Sequence, residues 1–212
     1  YREGYSLDAL MSEVAELVLA LLSGTSAPLH VQRISYREAF LSQLQLDPFT
    51  ARAADLVEAA TRTVGFHSVG RELARDELLE LLMGAYIGPR LGQDALTFVH
   101  GYPATQAALA RLDSHDPRTA LRFELYCRGI ELANGFQELA SSAEQRMRFE
   151  QDNDERRRRG LPVIALDERL LAALEHGLAA CAGVALGFDR LVMLATGCPR
   201  IDEVVPFPIE RA

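Results

Sequence analysis

Between residues 118 and 132 the chain alternates, with Phe123, Leu125 and Cys127 on one side and Arg122, Glu124, Tyr126 and Arg128 on the other. A two-residue period sustained over this length fits a strand with one dry and one wet face, so it commits the chain to an antiparallel sheet. Gly129 predicts a kink or bulge in that strand. A β-prone run at 95–100 ends at Gly101 and Pro103, and another at 182–186 feeds a helix at 188–195. Elsewhere the period is helical. Ser6 predicts the cap of a helix whose apolar positions (Leu7, Leu10, Met11, Val14, Leu17, Val18, Leu21) recur about every 3.6 residues, with Gly24 closing it. Ser35-Tyr-Arg-Glu38 reads as a capping box, Thr50 opens a helix to about Val64, Gly65 to Gly70 then breaks the pattern, and 76–86 reads as a further helix stopped by Gly88-Pro89. Residues 30–92 are therefore expected to be a mostly helical insertion. Ser141 and Asp167 open two later helices. The expected class is α+β, an antiparallel sheet flanked by helices, in a single domain spanning 1–212.

Composition removes several functions. The net charge is −8 and no segment forms a basic face, which argues against binding nucleic acid through phosphate neutralisation. Cys127, Cys181 and Cys198 make no CxxC pair, as expected of reduced thiols in a cytoplasmic protein. The five histidines lack ligand spacing, and no apolar run approaches the length of a membrane span. The run Arg156-Arg-Arg-Arg159 could dock an acidic protein or RNA, but the cationic last turn of a solvated helix explains it better. The chain opens at Tyr1-Arg-Glu-Gly-Tyr5 without an initiator methionine, and is expected to be the C-terminal part of something longer.

Two segments carry chemistry. In Glu131-Leu-Ala-Asn-Gly-Phe-Gln-Glu138 two carboxylates lie seven residues apart. On an uninterrupted strand an odd separation puts them on opposite faces, and Asn134-Gly135 reads as a tight turn that would fold them together. Converged carboxylates repel unless a cation lies between them, such as Mg²⁺ or a substrate ammonium. Spacing alone leaves equally open that Glu131 is an ordinary solvent-side strand residue and Glu138 a charge on the approach to a helix. In Gly183-Val-Ala-Leu-Gly-Phe-Asp-Arg190 a strand gives way to a helix, glycine lets a flat ring approach the backbone, and Arg190 suits a phosphate. A capped surface helix explains this pattern too. The P-loop and Rossmann patterns are absent.

Together, residues 129–139 and 183–194 resemble the C-terminal half of a class II lysyl-tRNA synthetase catalytic domain, the second stretch being similar to that class's motif 3. Residues 97–110 and 205–212 are more similar to the family of its short paralogues, the elongation factor P (R)-β-lysine ligases. The resemblance spans essentially the whole chain and implies a class II synthetase-like fold. It also implies activation of (R)-β-lysine by ATP and Mg²⁺ as an acyl-adenylate, then transfer to a lysine of elongation factor P without tRNA. Carried over residue by residue, Glu131 and Leu132 match ATP contacts, with Glu131 reaching the phosphates through Mg²⁺. Glu138 matches the carboxylate that holds the substrate ammonium and is the second candidate metal ligand. Tyr1, Asn134 and Ala185 fall on the substrate side, Gly187 on the adenine side, and Arg190 matches the catalytic arginine gripping the triphosphate. The synthetases usually have glycine where this chain has Ala185, a methyl-scale difference worth ~1–3 kcal/mol of discrimination, which favours the ligase branch.

By the same resemblance, motif 1 and most of motif 2 should precede Tyr1, and with them much of a homodimer interface. These 212 residues alone are then expected to hold half an active site and turn over poorly. Two alternatives stay open: a fragment of a lysyl-tRNA synthetase charging tRNA with α-lysine, and a non-catalytic paralogue that only binds a ligand or partner.

Overall fold

Short-range capping sets most of the helices. A computed structural model describes residues 1–25, 30–67 and 73–209 of the chain. The Ser6 side chain accepts from Ala9 N and starts α1 (Leu7–Leu21), which buries Leu10, Met11, Val14 and Val18. Ser35 and Glu38 form the reciprocal capping box of α2 (Tyr36–Leu44). The helices α3 (Ala53–Val64) and α4 (Arg75–Leu82) follow, α3 closed by Gly65 in the left-handed region and α4 running into a π-helical turn, Met83–Ile87. Further along come α5 (Ser142–Arg158), α6 (Glu168–His176) and α7 (Phe188–Thr196). The expected break at 65–70 and the matched tail at 205–212 each run partly outside the described residues.

The strands are β1 (Arg2–Glu3), β2 (His30–Ser35), β3 (Ala95–Pro103), β4 (Thr119–Cys127), β5 (Ile130–Gln137) and β6 (Cys181–Leu186), in the sheet order β1-β6-β5-β4-β3-β2. Every neighbouring pair is antiparallel except β2 with β3. A parallel pair needs a long crossover, and α2, α3 and α4 supply it. The start of the expected helical insertion is thus corrected: residues 30–35 are the outermost strand of the sheet, and the helices begin at Tyr36.

Two further expectations exchange places. The strand expected at 118–132 is a hairpin, with Arg128 (φ 51°) and Gly129 (φ 75°) as its two turn residues, the signature of a type I′ connection. Gly129 bends the chain fully instead of bulging it; a Cβ there would lie 2.6 Å from Pro89 O. Asn134-Gly135, expected to turn, sits mid-strand, with Asn134 opposite Ala185 and Gly135 opposite Val184. Glycine is needed there for room, since a Cβ on Gly135 would come within 2.5 Å of the Phe123 ring.

Each face of the sheet has its own cover. Phe98, Phe123, Leu125, Cys127, Ala133 and Ala182 pack with α1 and α7 in one core. On the opposite face Val99, Tyr102 and Tyr126 pack under α2, α3 and α4. That second cover lies over β3 and β4 and leaves the β5, β6 and β1 end of the same face to the candidate site.

Candidate active site

A single irregularity aligns the acidic residues. Along the β4–β5 ladder Leu125 pairs with Ala133 but Tyr126 pairs with Glu131, so Leu132 is an extra residue on β5. A one-residue bulge reverses the alternation beyond it. Pairing then puts Glu131, Asn134 and Phe136 on the same face as Tyr126, Glu124 and Arg122. Glu138, four residues beyond Asn134, continues that face. The odd spacing is therefore reconciled by a bulge, not by folding back at Asn134-Gly135.

The bulge also anchors the helix. Leu132 sends its side chain into the α1 and α7 core, so it reaches the open face only through its main chain. Its carbonyl accepts from Gly187 N at 2.8 Å, which fixes the entry to α7. Gly187 caps α7 without a side chain, leaving the positive end of the helix dipole beside the sheet. From the first turn, Arg190 Nη1 donates to the Glu131 carbonyl at 2.7 Å and lies 3.6 Å from Glu131 Oε2. Glu131, Asn134, Ala185, Gly187 and Arg190 line one cleft of about 320 Å³. Burial, then the Glu124 carboxylate, push Glu131 above the ordinary glutamate range, with Arg190 opposing.

Glu138 and Tyr1 lie further along, outside that cleft. Gly183 brings them together: a Cβ on it would lie 2.3 Å from Glu138 Oε1 and 2.7 Å from the Tyr1 ring. Burial raises the Glu138 carboxyl as well. An acid held above its usual range in a half-buried position is a natural seat for a cation that restores its charge.

Glu131 and Glu138 do not converge. About six strand steps separate them, roughly 20 Å, so one ion cannot bridge both, and the expectation of a shared metal is corrected. The carboxylate that influences Glu131 is Glu124, on the neighbouring strand and the same face. Glu124 Oε1 accepts from Arg122 Nη2 at 2.6 Å, and Oε2 from Tyr126 Oη at 2.5 Å. Neither Glu124 nor Arg122 stood out as a site residue in sequence; their only signal was a place on the polar side of the 118–132 alternation. Among the described residues, no group of three or more His, Cys, Asp or Glu side chains could hold a metal, and no helix is long and apolar enough to cross a membrane.

Residues 6–211 match the family described as tRNA synthetases class II (D, K and N). The chain is 48% identical over 212 residues to an elongation factor P–(R)-β-lysine ligase of Hamiltonella defensa, and 48% over 213 residues to one of Pectobacterium carotovorum. A protein of that name in Yersinia enterocolitica is 47% identical over 212 residues. Each alignment takes in 100% of this chain and 64% of the relative's length.

Proposed function

The chain belongs to the class II tRNA synthetase family (D, K and N), and from that premise we propose that the protein carrying it is an ATP-dependent ligase that activates (R)-β-lysine and passes it to a lysine of elongation factor P. The observation that carries this reading is the order of groups along one open face. Arg190 and the start of α7 lie at one end, Asn134 and Ala185 face each other across the middle, and Glu138 with Tyr1 forms the other end. An extended molecule with phosphates at one end and an ammonium at the other matches this polarity.

In this reading a carboxylate oxygen of the amino acid attacks the α-phosphorus of ATP, and the bond to the departing pyrophosphate breaks. The chain supplies no nucleophile. Arg190 spreads positive charge over the phosphates, and Glu138 holds the ammonium so that the carboxylate meets the phosphorus in line. The acceptor amine then attacks the acyl carbon, and AMP leaves. Glu131, which lines the cleft with Glu124 beside it on the same face, would hold a Mg²⁺ ion against the phosphates, since that ion needs only one or two carboxylates. Such an ion would neutralise phosphate charge, and the raised Glu131 carboxyl fits a group that ionises fully beside it. The single catalytic domain with a helical insertion, homodimer assembly in the full-length protein and a cytoplasmic, tRNA-independent role belong to the same proposal.

ATP–pyrophosphate exchange by the full-length protein tests it, with (R)-β-lysine and α-lysine compared in parallel and elongation factor P added as acceptor. Exchange that prefers (R)-β-lysine, followed by labelling of elongation factor P, is expected. Exchange with α-lysine alone, together with charging of tRNA, would overturn the assignment in favour of a lysyl-tRNA synthetase. The absence of exchange with both isomers would leave the non-catalytic reading.

A further inference from the structure

The Arg122 side chain is only 15% exposed and is held by several groups at once. Nη1 donates to the Gln106 carbonyl at 2.7 Å, Nη2 to Glu124 Oε1 at 2.6 Å, and Nε to Asn134 Oδ1 at 3.3 Å. Its guanidinium also lies 4.4 Å from the centroid of the Tyr102 ring. A planar fork held on three edges and one face has little freedom to rotate. Arginine has no acceptor, so the Asn134 atom that faces it is the amide oxygen. The Asn134 NH₂ is thereby turned away from Arg122, and Asn134 lines the cleft.

We propose that Arg122 is a positioning residue of the amino-acid site, holding the Asn134 amide so that Nδ2 donates into the cleft to an oxygen of the bound substrate. This inference rests on the adenylation reading for the identity of that oxygen, but not for the orientation of the amide. A free asparagine would present oxygen and nitrogen about equally, and an oxygen would repel the carboxylate it has to receive. Arg122 removes that wrong orientation before substrate arrives. Lysine at 122 keeps the charge beside Glu124 but lacks the planar fork that reaches three acceptors.

Two readouts separate this from a purely structural role. In full-length protein labelled with ¹⁵N-asparagine, the Asn134 side-chain amide pair is identified by its loss in Asn134→Ala. Arg122→Lys is expected to shift and broaden that pair in the ligand-free protein while leaving the Asn153 pair, held by Ile164 N and O, in place. Superimposable Asn134 signals in the two proteins would overturn the proposal, whether or not the protein adenylates anything. In pyrophosphate exchange, Arg122→Lys should raise the amino-acid KM about tenfold with little change in kcat, the size of one hydrogen bond to a charged oxygen. The same substitution in an Asn134→Ala background should change KM by less than about twofold; an undiminished effect there would refute the inference. Should Arg122→Lys fail to fold, Asn134→Asp keeps a partner for Arg122 but offers the cleft no donor. An unchanged KM in that variant would equally sink it. Wild-type protein with no exchange activity removes the adenylation reading and leaves the amide spectrum as the sole arbiter.

Discussion

Two glycines on adjacent strands are expected to fail in opposite ways when given a methyl group. In Gly183→Ala the new Cβ would lie 2.3 Å from Glu138 Oε1 and 2.7 to 2.8 Å from two Tyr1 ring atoms. Both obstacles are movable, since Tyr1 is 85% exposed and the carboxylate ends a flexible side chain. The backbone of Gly183 lies outside the left-handed region, so alanine adds no strain there. Stability should change by less than about 1 kcal/mol, within the ordinary difference between glycine and alanine in a strand. To reach normal contact, however, the carboxylate must retreat by about 1 Å, a displacement that can cost on the order of a hundredfold in rate. In Gly135→Ala the Cβ would meet the Phe123 ring at 2.5 Å and Gly183 O at 3.1 Å. Phe123 is fully buried and a neighbouring backbone cannot move freely, so overpacking should destabilise the fold by about 1–3 kcal/mol. Thermal unfolding and amino-acid-dependent pyrophosphate exchange, run on both variants of the full-length protein, separate the two effects. Gly183→Ala should keep its Tm and lose kcat/KM for the amino acid, and Gly135→Ala should lose Tm by several degrees. A Gly183→Ala protein that melts as early as Gly135→Ala, or keeps its amino-acid KM within twofold, would refute the view that Gly183 exists to seat Glu138.

Three other outcomes are expected. Burial raises the folded-state pKa of Glu138 above its ordinary 4.5, so its ionisation opposes folding as pH rises through that raised value. Glu138→Gln should therefore unfold at higher denaturant than wild type at pH 7, an advantage that vanishes below the ordinary glutamate value, while the wild-type amino-acid KM climbs on acidification from a pH above 4.5. Arg190→Lys should raise the KM for ATP at least about tenfold by losing bidentate phosphate contact, with Tm unchanged because the exposed pair with Glu131 is worth only ~0–1 kcal/mol; an unaltered ATP KM would remove Arg190 from the phosphate end. Tyr126→Phe takes one hydrogen-bond donor from buried Glu124 and should cost about 1–3 kcal/mol in denaturant unfolding, a loss under about 0.3 kcal/mol showing that the hydroxyl is dispensable.

Most helix boundaries were legible because caps are local: the Ser35–Glu38 box, the Ser6 cap and Gly65 each declare themselves within four residues, but the start of α3 was not, since its N-cap is Arg52 and not Thr50. The sheet was legible in class but not in detail. A glycine looks the same in sequence whether it turns the chain, as Gly129 does, or makes room for a ring, as Gly135 does for Phe123. Deciding between these needs the identity of the neighbouring strand, which is non-local. For the same reason β2 was hidden within an expected helical segment: its six residues are mostly exposed, so they lack the apolar signal of a core strand. The family resemblance named Glu131, Asn134, Ala185, Gly187 and Arg190, which line one cleft, but no single-segment pattern could reach Arg122. That residue matters through Asn134 on the next strand, twelve positions away.

The bulge at Leu132 shows why the acidic spacing misleads when counted along the chain. Seven residues on a regular strand would send Glu131 and Glu138 to opposite faces, one into the α1 and α7 core and one to solvent. An extra residue restores a common face, and the bulged residue stays anchored, with its side chain in the core and its carbonyl bonded to Gly187 N. The same insertion thus turns Glu131 toward Arg190 and fixes the helix that carries Arg190. Below the bulge the strand is regular from Ala133 to Gln137, which sets the distance to Glu138 rigidly. A bound molecule would therefore be measured between a charge-accepting end at α7 and a cation-accepting end at Gly183. Its length, and not only its groups, decides whether both ends engage. In the proposed reading, the methyl group of Ala185, opposite Asn134 in the middle of that span, is where the two lysine isomers would be told apart.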